Sequence, residues 1–140
     1  MMNVEFYNID EIDDELLKYA VVAARYKNKW ICCKNKNRKK WEIPGGRREE
    51  NENILDTAKR ELFEETGAFD FAITPVCVYS VISDKETMGM LFSAEIQAFG
   101  DLPDSEIEEI GLFDNLPADL SFPEIQPKLV DYIKRIHNIL

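Results

Sequence analysis

The chain has 140 residues, 45% of them hydrophobic, enough to enclose a core in a single globular domain spanning 1–140. Its 17 Lys and Arg against 27 Asp and Glu leave a formal net charge of −10, which disfavours non-specific attachment to polyanions, so no polymeric nucleic acid is expected as a partner. The odd set Cys32, Cys33 and Cys77 argues against a disulfide framework, "MMNVEFYNIDEIDDE" lacks the regions of a signal peptide, and "YAVVAA" is too short to cross a bilayer; the expectation is a cytoplasmic protein without a membrane.

In chain order, "KYAVVAARY" (18–26) and "KWICC" (29–33) are predicted strands of a hairpin turning at "KNK". "KWEIPGG" (40–46) ends an extended piece at Pro44, and Gly45-Gly46 make a loop that can approach a ligand closely. From Asn53 to Thr66 there is no Gly or Pro, Asn53 serves as N-cap and Gly67 stands where a C-cap glycine belongs, so this stretch is a predicted helix. Ile54, Ala58 and Leu62, with Leu55 beside them, form its core-facing stripe. "FAITPVCVYSVIS" (71–83) and "KETMGMLFSAEIQAF" (85–99) are further β-rich runs, followed by a short one at "EIGLF" (109–113). Pro123 opens a closing helix in which Ile125, Leu129, Tyr132, Ile133 and Ile136 recur at helical spacing, with Pro127 tolerable in its first turn. Strands and helices mix without regular alternation, so the expected class is α+β, a mixed α/β/α sandwich.

Charge is distributed unevenly along this order. Residues 25 to 48 hold ten Lys or Arg and one acid, Glu42, and an acidic stretch follows at once. Glu61, Glu64 and Glu65 stand at i, i+3 and i+4 and share one helical face. Like charges so placed weaken a solvated helix by only about 0.2–0.5 kcal/mol per pair, so spacing alone permits either a solvated acidic face or a cation site.

The wider context is more specific. Gly46, five residues, Glu52, seven residues, then Arg60-Glu61-Leu62-Phe63-Glu64-Glu65-Thr66-Gly67-Ala68 resembles the Nudix box, a glycine, glutamate and R-E-U-x-E-E-x-G-U pattern with U a bulky aliphatic. Every fixed polar and glycine position matches; Ala68 departs from the bulky aliphatic. The resemblance extends to the strand leading into Pro44-Gly45-Gly46 and to "DSEIEEIGLFDNLP" (104–117).

The resemblance implies an α/β/α fold and hydrolysis of a nucleoside diphosphate linked to another moiety, with Mg²⁺ or Mn²⁺ as cofactor. It makes Glu61, Glu64, Glu65 and the Gly45 carbonyl metal ligands and gives Arg60 the task of holding a neighbouring carboxylate. It leaves Glu52 either an orienting acid or a capping one, with Gly67 structural. Hard divalent ions take such oxygens and offset the repulsion among the glutamates. The base lies either in the box, with Glu64, Glu61 and Arg60 the catalytic candidates there, or outside it, where Glu106 matches a loop glutamate that serves some family members as ligand or base, or else belongs to an exposed acidic loop. His137, the sole histidine, fits a solvated position near a helix end rather than catalysis.

The chain is similar to small MutT-like bacterial enzymes that cleave nucleoside triphosphates or 8-oxo-dGTP. A small-molecule nucleotide is thus the expected partner, cleaved to nucleoside monophosphate and pyrophosphate. Gly46, Arg47 and Arg48 are candidates for the phosphates, while "KNKNRKK" fits either phosphate steering or a solvated hairpin end. One or two of Trp30, Trp41, Tyr79, Phe92 and Phe122 are candidates for stacking the base, aromatics on strands being more often core, and Gln126 or Glu124 are candidates for recognising it or else stand in a solvated first helical turn. ADP-ribose, dinucleoside polyphosphates, an RNA 5′ cap, and nucleotide binding without hydrolysis are the alternatives, and both a monomer and a homodimer are compatible with the sequence.

Overall fold

The computed structural model describes residues 2–137. Eight strands and two helices follow one another as β1 (Asn3–Tyr7), β2 (Leu17–Tyr26), β3 (Lys29–Asn35), β4 (Trp41–Glu42), β5 (Gly45–Arg47), α1 (Ile54–Thr66), β6 (Ala68–Ile82), β7 (Glu86–Phe99), β8 (Ile107–Phe113) and α2 (Gln126–Ile136). All strands join one mixed sheet of order β1-β6-β7-β2-β3-β4, with β5 paired to β2 and β8 to β3. The expected α+β sandwich is what forms.

Strand β2 sits at its centre, parallel to β7 along one edge. Its alternate residues enter different cores: Ala20, Val22 and Ala24 pack with Ile54, Ala58 and Leu62 of α1, whereas Val21 and Ala23 pack with Leu129, Val130 and Ile133 of α2. A strand covered on both faces must be apolar at every position, which is why "YAVVAA" reads as a continuous run rather than an alternation.

The other edge of β2 is shared. Tyr19, Ala20 and Val21 pair with Arg47, Gly46 and Gly45, while Arg25 and Tyr26 pair with Trp30 and Lys29. The Val22 N–H donates to the Pro44 carbonyl between the two at 2.8 Å. The predicted hairpin turns on Lys27 and Asn28, both in the left-handed region at φ 50° and 67°, which matches a type I′ turn. At the close approach of β5 to β2, a Cβ on Gly45 would lie 2.6 Å from the Ala20 carbonyl oxygen.

Helix α1 begins and ends where the sequence predicts. The Asn53 side chain accepts from the Leu55 N–H at 2.8 Å, and Gly67 at φ 79° donates to the Phe63 carbonyl. A Cβ at Gly67 would meet the Gly100 and Asp101 carbonyl oxygens, each at 2.8 Å. Gly67→Ala is therefore expected to lower stability by about 2 kcal/mol, the left-handed penalty of roughly 1–2 kcal/mol with a steric share added, read as a shifted denaturant midpoint.

Several boundaries differ from expectation. The N-terminal residues Asn3–Tyr7, for which no element was predicted, form edge strand β1 against β6, Phe6 opposite Tyr79. Strand β6 starts at Ala68 rather than 71 and β8 at Ile107 rather than 109, extended by pairing with β7 and β3. The closing helix starts at Gln126, three residues after Pro123; the part of its sequence prediction at 138–140 lies outside the described residues. Among the described residues no helix is long and apolar enough to cross a membrane.

Candidate active site

Helix α1 and the β5 loop meet because β5 is inserted beside β2 and α1 packs over that same face. The contact is close at Gly46, where any Cβ would land on the Glu61 carboxylate. The second glycine thus leaves room for the Glu61 carboxylate in its present position rather than serving its own backbone angle.

Arg60 is the hub of the polar layer. Its Nε and Nη2 donate to the two Glu52 carboxylate oxygens at 2.8 and 3.0 Å, and Nη1 donates to Glu61 at 2.7 Å and Glu64 at 3.4 Å. Nη2 also reaches the Arg47 carbonyl at 3.1 Å. Glu52 further accepts from the Thr57 hydroxyl at 2.7 Å and the Glu49 N–H at 3.1 Å. The Arg60 hydrogen bonds, ahead of these, hold its carboxyl down to about 2, so it stays ionised at any working pH.

The remaining carboxylates differ from Glu52. Glu65 accepts the Gly45 N–H at 2.8 Å, yet burial, with the charges of Glu61, Glu42 and Glu106 added, pushes it up to about 8. Glu61 is also raised, burial outweighing Arg60. Glu64 is the open one, its side chain 44% exposed. Arg60 engages Glu61 and Glu64 while the Gly45 N–H engages Glu65, so the carboxylates are held by separate donors. Among the described residues, no three such groups are gathered closely enough, as they stand, to hold a metal ion. Their chemistry nevertheless fits a hard divalent cation: oxygen donors only, on one helical face, with buried negative charge in need of compensation.

The other sequence candidates fall into distinct places. Glu106 is exposed on the loop before β8 but near enough for its charge to act on Glu65. Arg47 is exposed, its guanidinium over the Tyr19 ring at 5.8 Å. Arg48 is committed elsewhere: it donates to the Glu52, Asp14 and Leu17 carbonyls and to the Asp14 carboxylate, so an open phosphate contact does not describe its geometry.

Gln126 is buried and its Oε1 accepts the Ile43 N–H at 2.9 Å, tethering the start of α2 to the segment before Pro44 rather than lying in a solvated first turn. Glu124 is exposed. Trp30, Tyr79 and Phe92 are buried in the core and present no face for a base, leaving Trp41, edge-on to Phe113, and Phe122, capped by Arg38 at 5.2 Å. His137 ends α2, on the sheet face opposite α1, and is exposed.

Two features escaped the sequence reading. Glu42 is buried next to the site, held by Arg38 through contacts of 3.1–3.3 Å, and its charge helps raise Glu65 and Cys33. Its signal was its standing as the one acid among ten bases. The basic segment itself is largely neutralised: Lys29, Lys34, Lys36 and Lys39 pair with Asp114, Glu109, Asp104 and Glu108. "KNKNRKK" is therefore an ion-paired turn, its buried Asn35 accepting the Asn37 and Arg38 N–H groups.

Comparison with known proteins agrees with this geometry. The family model described as NUDIX domain matches residues 12–128. Mus musculus nucleoside diphosphate-linked moiety X motif 6 is 56% identical over 34 residues, 24% of this chain and 11% of that protein. This match thus spans only about a tenth of the mouse protein's length. A crystal structure of a mutant of the Bacillus subtilis pyrophosphohydrolase BsRppH superposes with a TM-score of 0.80 at 23% identity, covering 99% of this chain and 93% of that one. The NUDIX domain of Shewanella oneidensis NrtR, complexed with ADP ribose, gives 0.69 at 14% identity over 92% and 96% of the two chains. With the family model spanning most of its length and the box residues assembled around Arg60, the chain belongs to the NUDIX domain family.

Proposed function

We propose that this chain is a divalent-metal-dependent pyrophosphohydrolase that cleaves a nucleoside triphosphate, oxidised purine forms included, to nucleoside monophosphate and pyrophosphate. The observation that carries this reading is the Glu61 carboxylate packed on the Gly46 backbone and fixed by Arg60, with Glu64 and Glu65 on the same helical face. Glu61, Glu64, Glu65 and the Gly45 carbonyl would hold Mg²⁺ or Mn²⁺. When bound, the cation neutralises phosphate oxygens and lowers the pKa of a coordinated water.

The chain's own residues supply the rest. Arg60 holds Glu61 and Glu64 in place, and the ionised Glu52 orients Arg60. A carboxylate of the box, Glu64 or Glu61, or the exposed loop Glu106 takes the proton as water attacks phosphorus and the bond to pyrophosphate breaks. The Gly46 backbone and the exposed Arg47 guanidinium meet the phosphates. The Gln126 amide nitrogen, whose oxygen is committed to Ile43, is the donor left for the base, with Phe122 as the stacking surface. The same reading makes residues 1–140 one cytoplasmic domain, working alone or as a homodimer.

A panel of 8-oxo-dGTP, unmodified deoxynucleoside triphosphates, ADP-ribose and diadenosine polyphosphates, compared by kcat/KM under one metal condition, tests the substrate. Triphosphates are expected to lead. A preference of about tenfold for a non-triphosphate, roughly 1.4 kcal/mol at the transition state, overturns the substrate while leaving hydrolysis intact.

A further inference from the structure

We propose that Arg48 is a positioning residue: its guanidinium straps the loop ahead of α1 to the Asp14–Leu17 segment, and so sets Glu52 and, through it, Arg60. This rests on the hydrolase reading for its effect on turnover, but the strap itself is a structural claim. Arg48 Nε donates to the Glu52 carbonyl at 2.7 Å, Nη1 to the Asp14 and Leu17 carbonyls at 2.8 and 3.3 Å, and Nη2 to the Asp14 carboxylate at 2.7 Å. Its own N–H donates to the Lys18 carbonyl at 2.8 Å. All three nitrogens thus face protein oxygens, and the side chain, though charged, is only 18% exposed.

The loop has no helix or strand of its own from residue 48 to 53. Asn51 turns the chain in the left-handed region at φ 62° immediately before Glu52, a conformation asparagine adopts more readily than other residues with a side chain. Glu52 is then gripped twice, its carbonyl by Arg48 and its carboxylate by Arg60, Thr57 and the Glu49 N–H. Loosening the first grip lets the second shift, and Arg60 carries that shift to Glu61 and Glu64. A planar fork is required because three carbonyls and a carboxylate on two separate chain segments are met at once; an ammonium on a single stem meets them poorly.

Two measurements test the strap. In Arg48→Met, kcat is expected to fall about tenfold or more with KM held within about threefold, since misplacement by a fraction of an ångström suffices for such a loss. Arg48→Lys is expected to recover little of it. Hydrogen exchange, which needs no substrate, is expected to show the Arg48, Glu49 and Glu52 amides exchanging at least about tenfold faster in both variants. A large rise in KM at unchanged kcat, repaired by Lys, would make Arg48 a phosphate ligand and overturn the proposal, as would unchanged exchange at those amides. If the wild-type chain hydrolyses no nucleotide, the proposed function falls and the exchange result alone decides the strap.

Discussion

Excess EDTA is expected to reduce nucleotide hydrolysis to background, and Mg²⁺ or Mn²⁺ to restore it. Glu61 and Glu65 are carboxylates whose burial works against their charge, and the single cation among them, Arg60, is already shared between Glu52, Glu61 and Glu64. A triphosphate brought to this surface adds further negative charge, so substrate and site repel each other unless a divalent ion stands between them. The same binding is expected to raise the thermal midpoint, because a ligand held by the folded chain alone stabilises it by mass action. Turnover unchanged in excess chelator would remove the cation from the mechanism.

Glu64→Gln is expected to lower kcat by roughly 10²- to 10³-fold, the several kcal/mol that loss of a ligand charge removes from the transition state, with the fold intact. Its side chain is 44% exposed and, among the described residues, its one hydrogen bond is a long 3.4 Å one from Arg60, so stability is expected to change by no more than about 0.5 kcal/mol. Glu65→Gln makes a sharper contrast. Its amide oxygen can still accept the Gly45 N–H while the cost of burying a carboxyl pushed up to about 8 disappears, so metal-free stability is expected to hold or rise as activity collapses. Circular dichroism melts beside kcat for the two variants check both parts. Full activity in either variant would remove that residue from the ligand set.

The sequence by itself determined the helix from Ile54 to Thr66, its Asn53 and Gly67 caps and the family, because those signals are local. Capping depends on one or two residues, and the box spacing is a property of a single helix and the loop before it. It also determined that Glu61, Glu64 and Glu65 share a face, since helical periodicity alone fixes that. What only the tertiary structure decided is which groups from distant segments those carboxylates meet. The basic stretch looked like a free cationic surface until β3 paired with β8 and set Lys34 against Glu109 and the turn after it against Asp104 and Glu108. Arg48 looked equivalent to Arg47, but the alternation of β5 beside β2 leaves one over the Tyr19 ring and the other against the Asp14 and Leu17 carbonyls. Which of the five aromatics belong to the core and which stay open to a base was undecided until the sheet was covered on both faces and buried Trp30, Tyr79 and Phe92. The physical reason is the same each time: periodicity tells which side chains leave the backbone together, whereas their charge compensation and burial are set by strands paired across scores of residues.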